Sequence, residues 1–275
     1  MADRLAVSTN SYHSYSLVEA LDGIAAAGFT SVELSSVPGW TEHVPRNATD
    51  ADLEQIQALL DARGLTAISL SGHSDLASDD GAEDFRKALR IARKLGIRYV
   101  TTSTGGHDAS SEGTIEEQRA AFLAQIRPLA DEAAAMGLTI CLETHGGVSA
   151  TGALSRILVD EIDRPNVGIN YDTANVIFYG HTRPETDIQA AAPRINHVHV
   201  KDQIGGPEVW NFPAIGTGEV DFAPVFAALD AVGFDGPVSV ELEFQGEPWP
   251  SLDAVQQALS TSLAFLRPYV PAPTE

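Results

Sequence analysis

Apolar and polar positions along the chain repeat as a unit: a stretch with helical spacing, a glycine, one or two residues, and a short apolar strand. The unit places Gly28 before Val32-Glu33-Leu34, Gly64 before Ile68-Ser69-Leu70, Gly96 before Tyr99-Val100, and Gly137 before Ile140-Cys141-Leu142. A stretched version runs from Gly233 to Val238-Ser239-Val240. Glycine accepts the left-handed conformation that ends a helix, so each of these marks a helix stop with a strand behind it. Ser16 and Glu19 predict a capping box ahead of Leu17, Leu21 and Ile24. Phe122, Ile126, Leu129, Ala133 and Met136 predict another helix, which Pro128 is expected to bend or break. Eight strands are predicted near residues 5–9, 30–34, 66–71, 97–102, 138–143, 166–171, 195–200 and 237–242. Eight alternating units predict an α/β fold, a single (β/α)₈ TIM barrel over residues 1–268 with a C-terminal tail at 269–275. The alternative, an open doubly wound sheet, normally carries a glycine-rich phosphate turn after its first strand, and this chain has none there.

Side chains alternate faces along a strand, so parity separates an outward apolar set from an inward polar one. In the seventh strand Val198 and Val200 oppose His197, His199 and Lys201; in the eighth Val238, Val240 and Leu242 oppose Ser239, Glu241 and Glu243. In the sixth Val167, Ile169 and Tyr171 oppose Asn170 and Asp172, and in the fifth Leu138, Ile140 and Leu142 oppose Cys141, Glu143 and His145. The second and third strands agree, with Glu33 and then Ser69, Ser71 and His73 inward. These groups gather at the C-terminal strand ends, where a barrel builds its active site. Carboxylates crowded into one buried mouth need a cation or shared protons. Glu143, Asp172, His199 and Glu241 therefore form a candidate set for one divalent ion, with Mn²⁺ the first expectation and Co²⁺, Mg²⁺ or Zn²⁺ as alternatives. Taken singly, each has a plainer role: a helix cap for Asp172, a helix cap or a pairing with Lys201 for Glu143, a hydrogen-bonded interior histidine for His199, a solvated carboxylate for Glu241.

Charge narrows the partners. The 275 residues carry 17 Lys and Arg against 38 Asp and Glu, a formal net charge of −21. That balance argues against nucleic acid and against anionic membrane surfaces, both of which attract clustered cations. No stretch approaches the roughly 20 apolar residues that span a bilayer. The single cysteine, Cys141, sits in an apolar run and reads as a packed thiol in a reducing compartment. No basic region leads into an apolar segment near Met1, so a cytoplasmic protein is expected.

Glu143-Thr144-His145-Gly146-Gly147, Asn170-Tyr171-Asp172-Thr173-Ala174-Asn175, His197-Val198-His199-Val200-Lys201-Asp202 and Gly236-Pro237-Val238-Ser239-Val240-Glu241 together resemble the sugar phosphate isomerase/epimerase family of xylose isomerase-like TIM barrels. Gly216-Thr217-Gly218-Glu219-Val220-Asp221-Phe222 is similar to that family's segment between strands seven and eight. The resemblance implies a metal-dependent enzyme on a small-molecule carbohydrate, with Glu143, Asp172, His199 and Glu241 as ligands. Trinuclear zinc nucleases of the same superfamily carry further His ligands; Asn175 stands where one would be expected, and the loop after His199 adds no His pair.

Such a metal site suits sugar isomerisation or epimerisation by proton abstraction next to a carbonyl through a metal-bound enediolate, with Glu143 and Glu241 flanking the substrate. The alternative is a lyase that opens 3-keto-glycosides by β-elimination; a non-catalytic carbohydrate-binding barrel is a third reading. His145, Lys201 and Glu243 are expected to surround the ligands, Lys201 polarising a substrate oxygen or else pairing with Asp202 or Glu143. His73, His107 and His13 are expected at the rim of the mouth. Trp40 and Trp210, in loops after strands two and seven, are expected to stack on a sugar ring or to pack against a second copy in a homo-oligomer. Arg46, Arg183 and Lys201 are the main basic groups near the mouth, too few to favour a phosphorylated substrate.

Overall fold

A computed structural model describes residues 2–105 and 114–273. Eight parallel strands close into a barrel in chain order: β1 (Leu5–Ser8), β2 (Ser31–Ser35), β3 (Thr66–Ser71), β4 (Tyr99–Thr102), β5 (Thr139–Glu143), β6 (Val167–Asp172), β7 (Ile195–Val200) and β8 (Val238–Val240). Between and after them run α1 (Leu17–Ala26), α2 (Asp50–Asp61), α3 (Asp79–Lys94), α4 (Ile115–Ala135), α5 (Gly152–Ile162), α6 (Asn175–Phe178), α7 (Pro184–Ala191), α8 (Phe222–Ala231) and α9 (Leu252–Leu266). The barrel is a TIM barrel, as the alternation of units predicts.

Local chemistry starts and stops these elements where the sequence places the signals. Ser16 and Glu19 form the capping box of α1, and Thr114 with Glu117 does the same for α4. Gly28 and Gly137, at φ 93° and 75°, carry the chain from helix to strand in a conformation that disfavours any other residue. Pro128 does not break the helix: α4 continues through it from Ile115 to Ala135. Ile126, Leu129, Ala130 and Ala133 stay buried around it, so packing against the barrel outweighs the lost backbone bond. β8 is also shorter than expected, ending at Val240, although Glu241 still donates its backbone N–H to Val200.

The outward strand residues, among them Val32, Leu70, Val100, Ile140, Ile169, Val198 and Val240, are buried beneath the helices. At the C-terminal end Tyr269 stacks on Phe226 and Val270 is buried, whereas Pro271, Ala272 and Pro273 are exposed. Among the described residues, no helix is long and apolar enough to cross a membrane.

Candidate active site

Strand register brings the inward polar residues together. Asp172 pairs with His199 across β6 and β7, Asn170 pairs with His197 one level lower, and Glu143 ends β5 opposite Asn170. A register shift between Ile169 and Asn170 keeps both pairs facing inward. The Nδ1 of His199 lies 3.6 Å from Glu143 Oε1, 3.7 Å from Glu241 Oε2 and 4.0 Å from Asp172 Oδ2. One donor atom from each of these four residues falls within 4.8 Å of the others, and all four residues are buried.

Asp172 divides its two oxygens between two tasks. Its Oδ1 accepts the backbone N–H groups of Ala174 and Asn175, each at 2.8 Å, in an Asx-type turn that leads from β6 into α6. Its Oδ2 is buried and accepts no well-aligned hydrogen bond, though Lys201 Nζ is 3.2 Å away. A buried carboxylate oxygen left over in this way, beside two further carboxylates and an imidazole, fits a hard divalent cation. The burial of Asp172, partly countered by Lys201 and reinforced by Glu143 and Glu241, pushes its carboxyl up to about 6.

The imidazole of His199 is oriented from below. Its Nε2 donates to Glu33 Oε2 at 2.8 Å, which turns Nδ1 towards the three carboxylates; Asn170 Nδ2 lies 3.2 Å from that same nitrogen. Burial works against the protonated form of His199, but Glu33, Glu241 and Glu143 outweigh it and raise the imidazole well above its ordinary value. Burial likewise pushes the Glu33 carboxyl up, and the adjacent imidazoles of His199 and His197 override it, holding it at about 2. Glu33 Oε1 accepts from Thr101, so neither of its oxygens is idle. Sequence reasoning placed Glu33 inward without giving it a role, because its partner lies 166 residues away in the chain.

Lys201 departs from both pairings considered for it. Its Nζ contacts Glu241 at 2.7 Å, Glu243 at 2.9 Å and Asp172 at 3.2 Å, and it meets neither Asp202 nor Glu143. The parity of β7 turns Lys201 into the barrel and Asp202 away from it. Asp202 instead accepts the backbone N–H groups of Gly216, Gly218 and Val220. A Cβ on Gly218 would meet Asp202 Oδ1 at 2.3 Å, so the glycine-containing segment and the strand-seven motif belong to one structural unit. Burial, partly offset by Lys201 and reinforced by Glu241, pushes the Glu243 carboxyl up to about 7.

His73 is nearer the chemistry than a rim residue: its Nε2 lies 2.7 Å from Glu143 Oε2, and Ser71 holds its other nitrogen at 3.0 Å. His13 does lie on the rim, stacked on Trp40 with ring centroids 4.2 Å apart. His145 lines the cavity with its ring 4.7 Å from Tyr179, outside the four-residue cluster. His107 falls outside the described residues. Trp40 and Trp210 both line the cavity, as does Glu243. Asn10 and Asn175 were missed by sequence reasoning. Asn10 Nδ2 donates to Glu241 and Glu243, and Asn175 Nδ2 donates to Glu143 at 2.8 Å. An asparagine at a strand end is too common in turns to single out without its partner. Arg46 is buried on the backbone carbonyls of Ser36 and His73 and beside Asp84, so it offers nothing to the mouth.

The profile of the family described as xylose isomerase-like TIM barrels matches residues 21–269. An L-ribulose 3-epimerase of Methylomonas sp. (strain DH-1) is 29% identical over 237 residues, covering 81% of this chain and 77% of that protein. An inosose dehydratase of Geobacillus thermodenitrificans (strain NG80-2) is 26% identical, covering 82% and 81%. Among solved structures, a D-psicose 3-epimerase in the presence of D-fructose superposes with a TM-score of 0.79 at 20% identity, covering 97% of this chain and 99% of that one. The IOLI protein with a bound zinc atom superposes at 0.78 with 19% identity, covering 97% of each chain.

Proposed function

The chain belongs to the xylose isomerase-like TIM barrel family, and from that premise we propose that it is a divalent-metal-dependent ketose epimerase. The observation that carries the reading is the arrangement of Glu143 and Glu241 about a single imidazole nitrogen, from strands on different sides of the barrel. Ketose and L-ribulose 3-epimerases among its relatives support it.

Glu143, Asp172, His199 and Glu241 would hold the ion, for which Mn²⁺ is the first choice. When bound, a divalent ion supplies Lewis-acid polarisation of a ketone and its neighbouring hydroxyl, which acidifies the carbon-bound proton between the two functions. One of the two glutamates takes that proton and the other returns one to the opposite face, which inverts the carbon. His73 and Asn175 hold Glu143 by its two oxygens, while Asn10 and Lys201 hold Glu241 by its own, so each base is fixed before substrate arrives. Glu243, paired with Lys201 at 2.9 Å and lining the cavity, also offers a hydrogen bond to a substrate oxygen.

The test is a panel of ketoses, aldoses and 3-keto-glycosides in D₂O with Mn²⁺, followed by NMR. Deuterium entering a ketose at the carbon next to the carbonyl, abolished by a chelator and by either Glu143→Gln or Glu241→Gln, is the expected result. No exchange into any ketose would overturn the reading. A second reading, elimination from a keto sugar, draws on the inosose dehydratases among the relatives and on the Lys201–Glu243 pair as a proton source. It would appear in the same panel as released water or aglycone.

A further inference from the structure

The cavity over the carboxylates has a volume of about 510 Å³, and its two halves differ in chemistry. The strand ends supply a polar floor with Glu143, Glu241, Glu243, Lys201 and His73. Above it, Pro38 and Trp40 from the loop after β2, Phe178 and Tyr179 at the end of α6, and Trp210 from the loop after β7 form an aromatic wall. The rings run in contact around that wall: Trp40 to Trp210 at 6.4 Å, Trp210 to Phe178 at 5.8 Å, and Phe178 to Tyr179 at 4.7 Å between centroids. Trp40 and Trp210 nevertheless remain 45% and 36% exposed.

A ketose that presents its carbonyl end to the floor satisfies the polar groups there and leaves this wall uncovered. A ketose held in its open-chain form by the carbonyl end offers no flat C–H face, and hydroxyls set against aromatic rings lose their hydrogen-bond partners. The wall is matched instead by a ring with a flat C–H or π face. It also lacks charge partners: Lys201 is committed to Asp172, Glu241 and Glu243, and Arg46 to backbone carbonyls and Asp84. An anionic substituent would meet the Glu143 and Glu243 carboxylates with no cation among the described lining residues left to pair with it.

We infer that the aromatic wall is a subsite for an uncharged ring carried at the far end of the ketose, either a glycosyl or an aryl group. The inference rests on the epimerase reading for the orientation of the sugar. Its specificity residues are Trp40 and Trp210.

The test is calorimetric titration of the Mn²⁺-loaded protein with D-fructose, 6-O-benzyl-D-fructose, 6-O-α-D-glucopyranosyl-D-fructose and fructose 6-phosphate. At least one ring-bearing ketose should bind about tenfold or more tightly than fructose, about 1.4 kcal/mol, and the phosphate should bind no better than fructose. Preference for the benzyl or for the glucosyl probe identifies which kind of ring the wall takes. Trp40→Ala and Trp210→Ala should each remove most of that gain, bringing the affinity for the ring-bearing ketose towards that for fructose, and Trp40→Phe should retain part of it, with melting of each variant confirming that it is folded. Equal affinity for fructose and both ring-bearing probes, tightest binding of the phosphate, or a gain that survives both alanine variants would overturn the inference. Deuterium exchange into fructose is measured in parallel. Exchange without a ring preference removes the subsite and keeps the epimerase, whereas a ring preference without exchange into any ketose does the reverse.

Discussion

Two polar layers lie one above the other inside the barrel, and burial does not tell them apart. The upper holds Glu143, Asp172, His199 and Glu241, the lower Glu33, Ser69, Asn170 and His197, and all eight are buried. Their hydrogen bonding does separate them. In the lower layer His197 is held at both ring nitrogens, by Asn170 at 2.8 Å and Ser69 at 3.0 Å, and both oxygens of Glu33 are used. The upper layer keeps an orphan oxygen on Asp172, and with the adjacent Glu243 it collects more carboxylate than Lys201 and the His199 imidazole can neutralise. A saturated polar layer serves the fold, and an unsaturated one can take a ligand. His197 and His199, two residues apart on one strand face, fall on opposite sides of that line.

The largest effect is expected from the upper layer. His199→Ala should lose bound metal and turnover by about a thousandfold or more, because several kcal/mol of charge stabilisation depart with the ion. Its melting temperature in chelator should fall as well, because the buried Glu33 carboxylate loses its imidazole partner. Metal analysis and melting of the chelated protein check both points, and a metal-replete His199→Ala would break the comparison.

His197→Ala should differ in keeping its metal. It leaves Asn170 and Ser69 without their partner, so the chelated protein should lose about 1–3 kcal/mol of stability. Its metal content should remain near one ion per chain. Denaturant unfolding read beside metal analysis decides it.

Glu33→Gln tests the coupling between the layers. A glutamine keeps the shape but weakens the hold on the His199 Nε2 proton, so metal affinity should fall by about 10–100-fold with the fold intact. Titration with Mn²⁺ measures this without reference to turnover. An unchanged affinity would mean that His199 is aimed by β7 alone.

The smallest effect is expected at Cys141, which is buried one step below Glu143 on β5. Burial pushes its thiol well above the ordinary range, the nearby Glu33 carboxylate adding to the rise, so it stays protonated and inert. Cys141→Ser should leave metal content and turnover near those of the parent. In the native protein the thiol should resist alkylation that proceeds readily after unfolding.

Much of this organisation is legible in one dimension. The helix, glycine and strand repeat announces the barrel, and the strict two-residue period of strands assigns Glu143, Asp172, His199 and Glu241 to the inside, because a parallel strand covered by helices has only one face left for charge. Periodicity cannot say which inward groups meet across the barrel. The bonds from Glu33 to His199, from Asn10 to Glu241 and from His73 to Glu143 join positions 166, 231 and 70 residues apart, and each depends on strand tilt and register around the closed sheet. The loops follow the same rule: Trp40 and Trp210 carry no period, and only closure of the barrel sets them on the same wall. Local pattern determined the fold and the side each residue faces, whereas the partners of each buried charge were decided by the tertiary structure, since a charge taken out of water answers to whatever lies within a few ångströms of it.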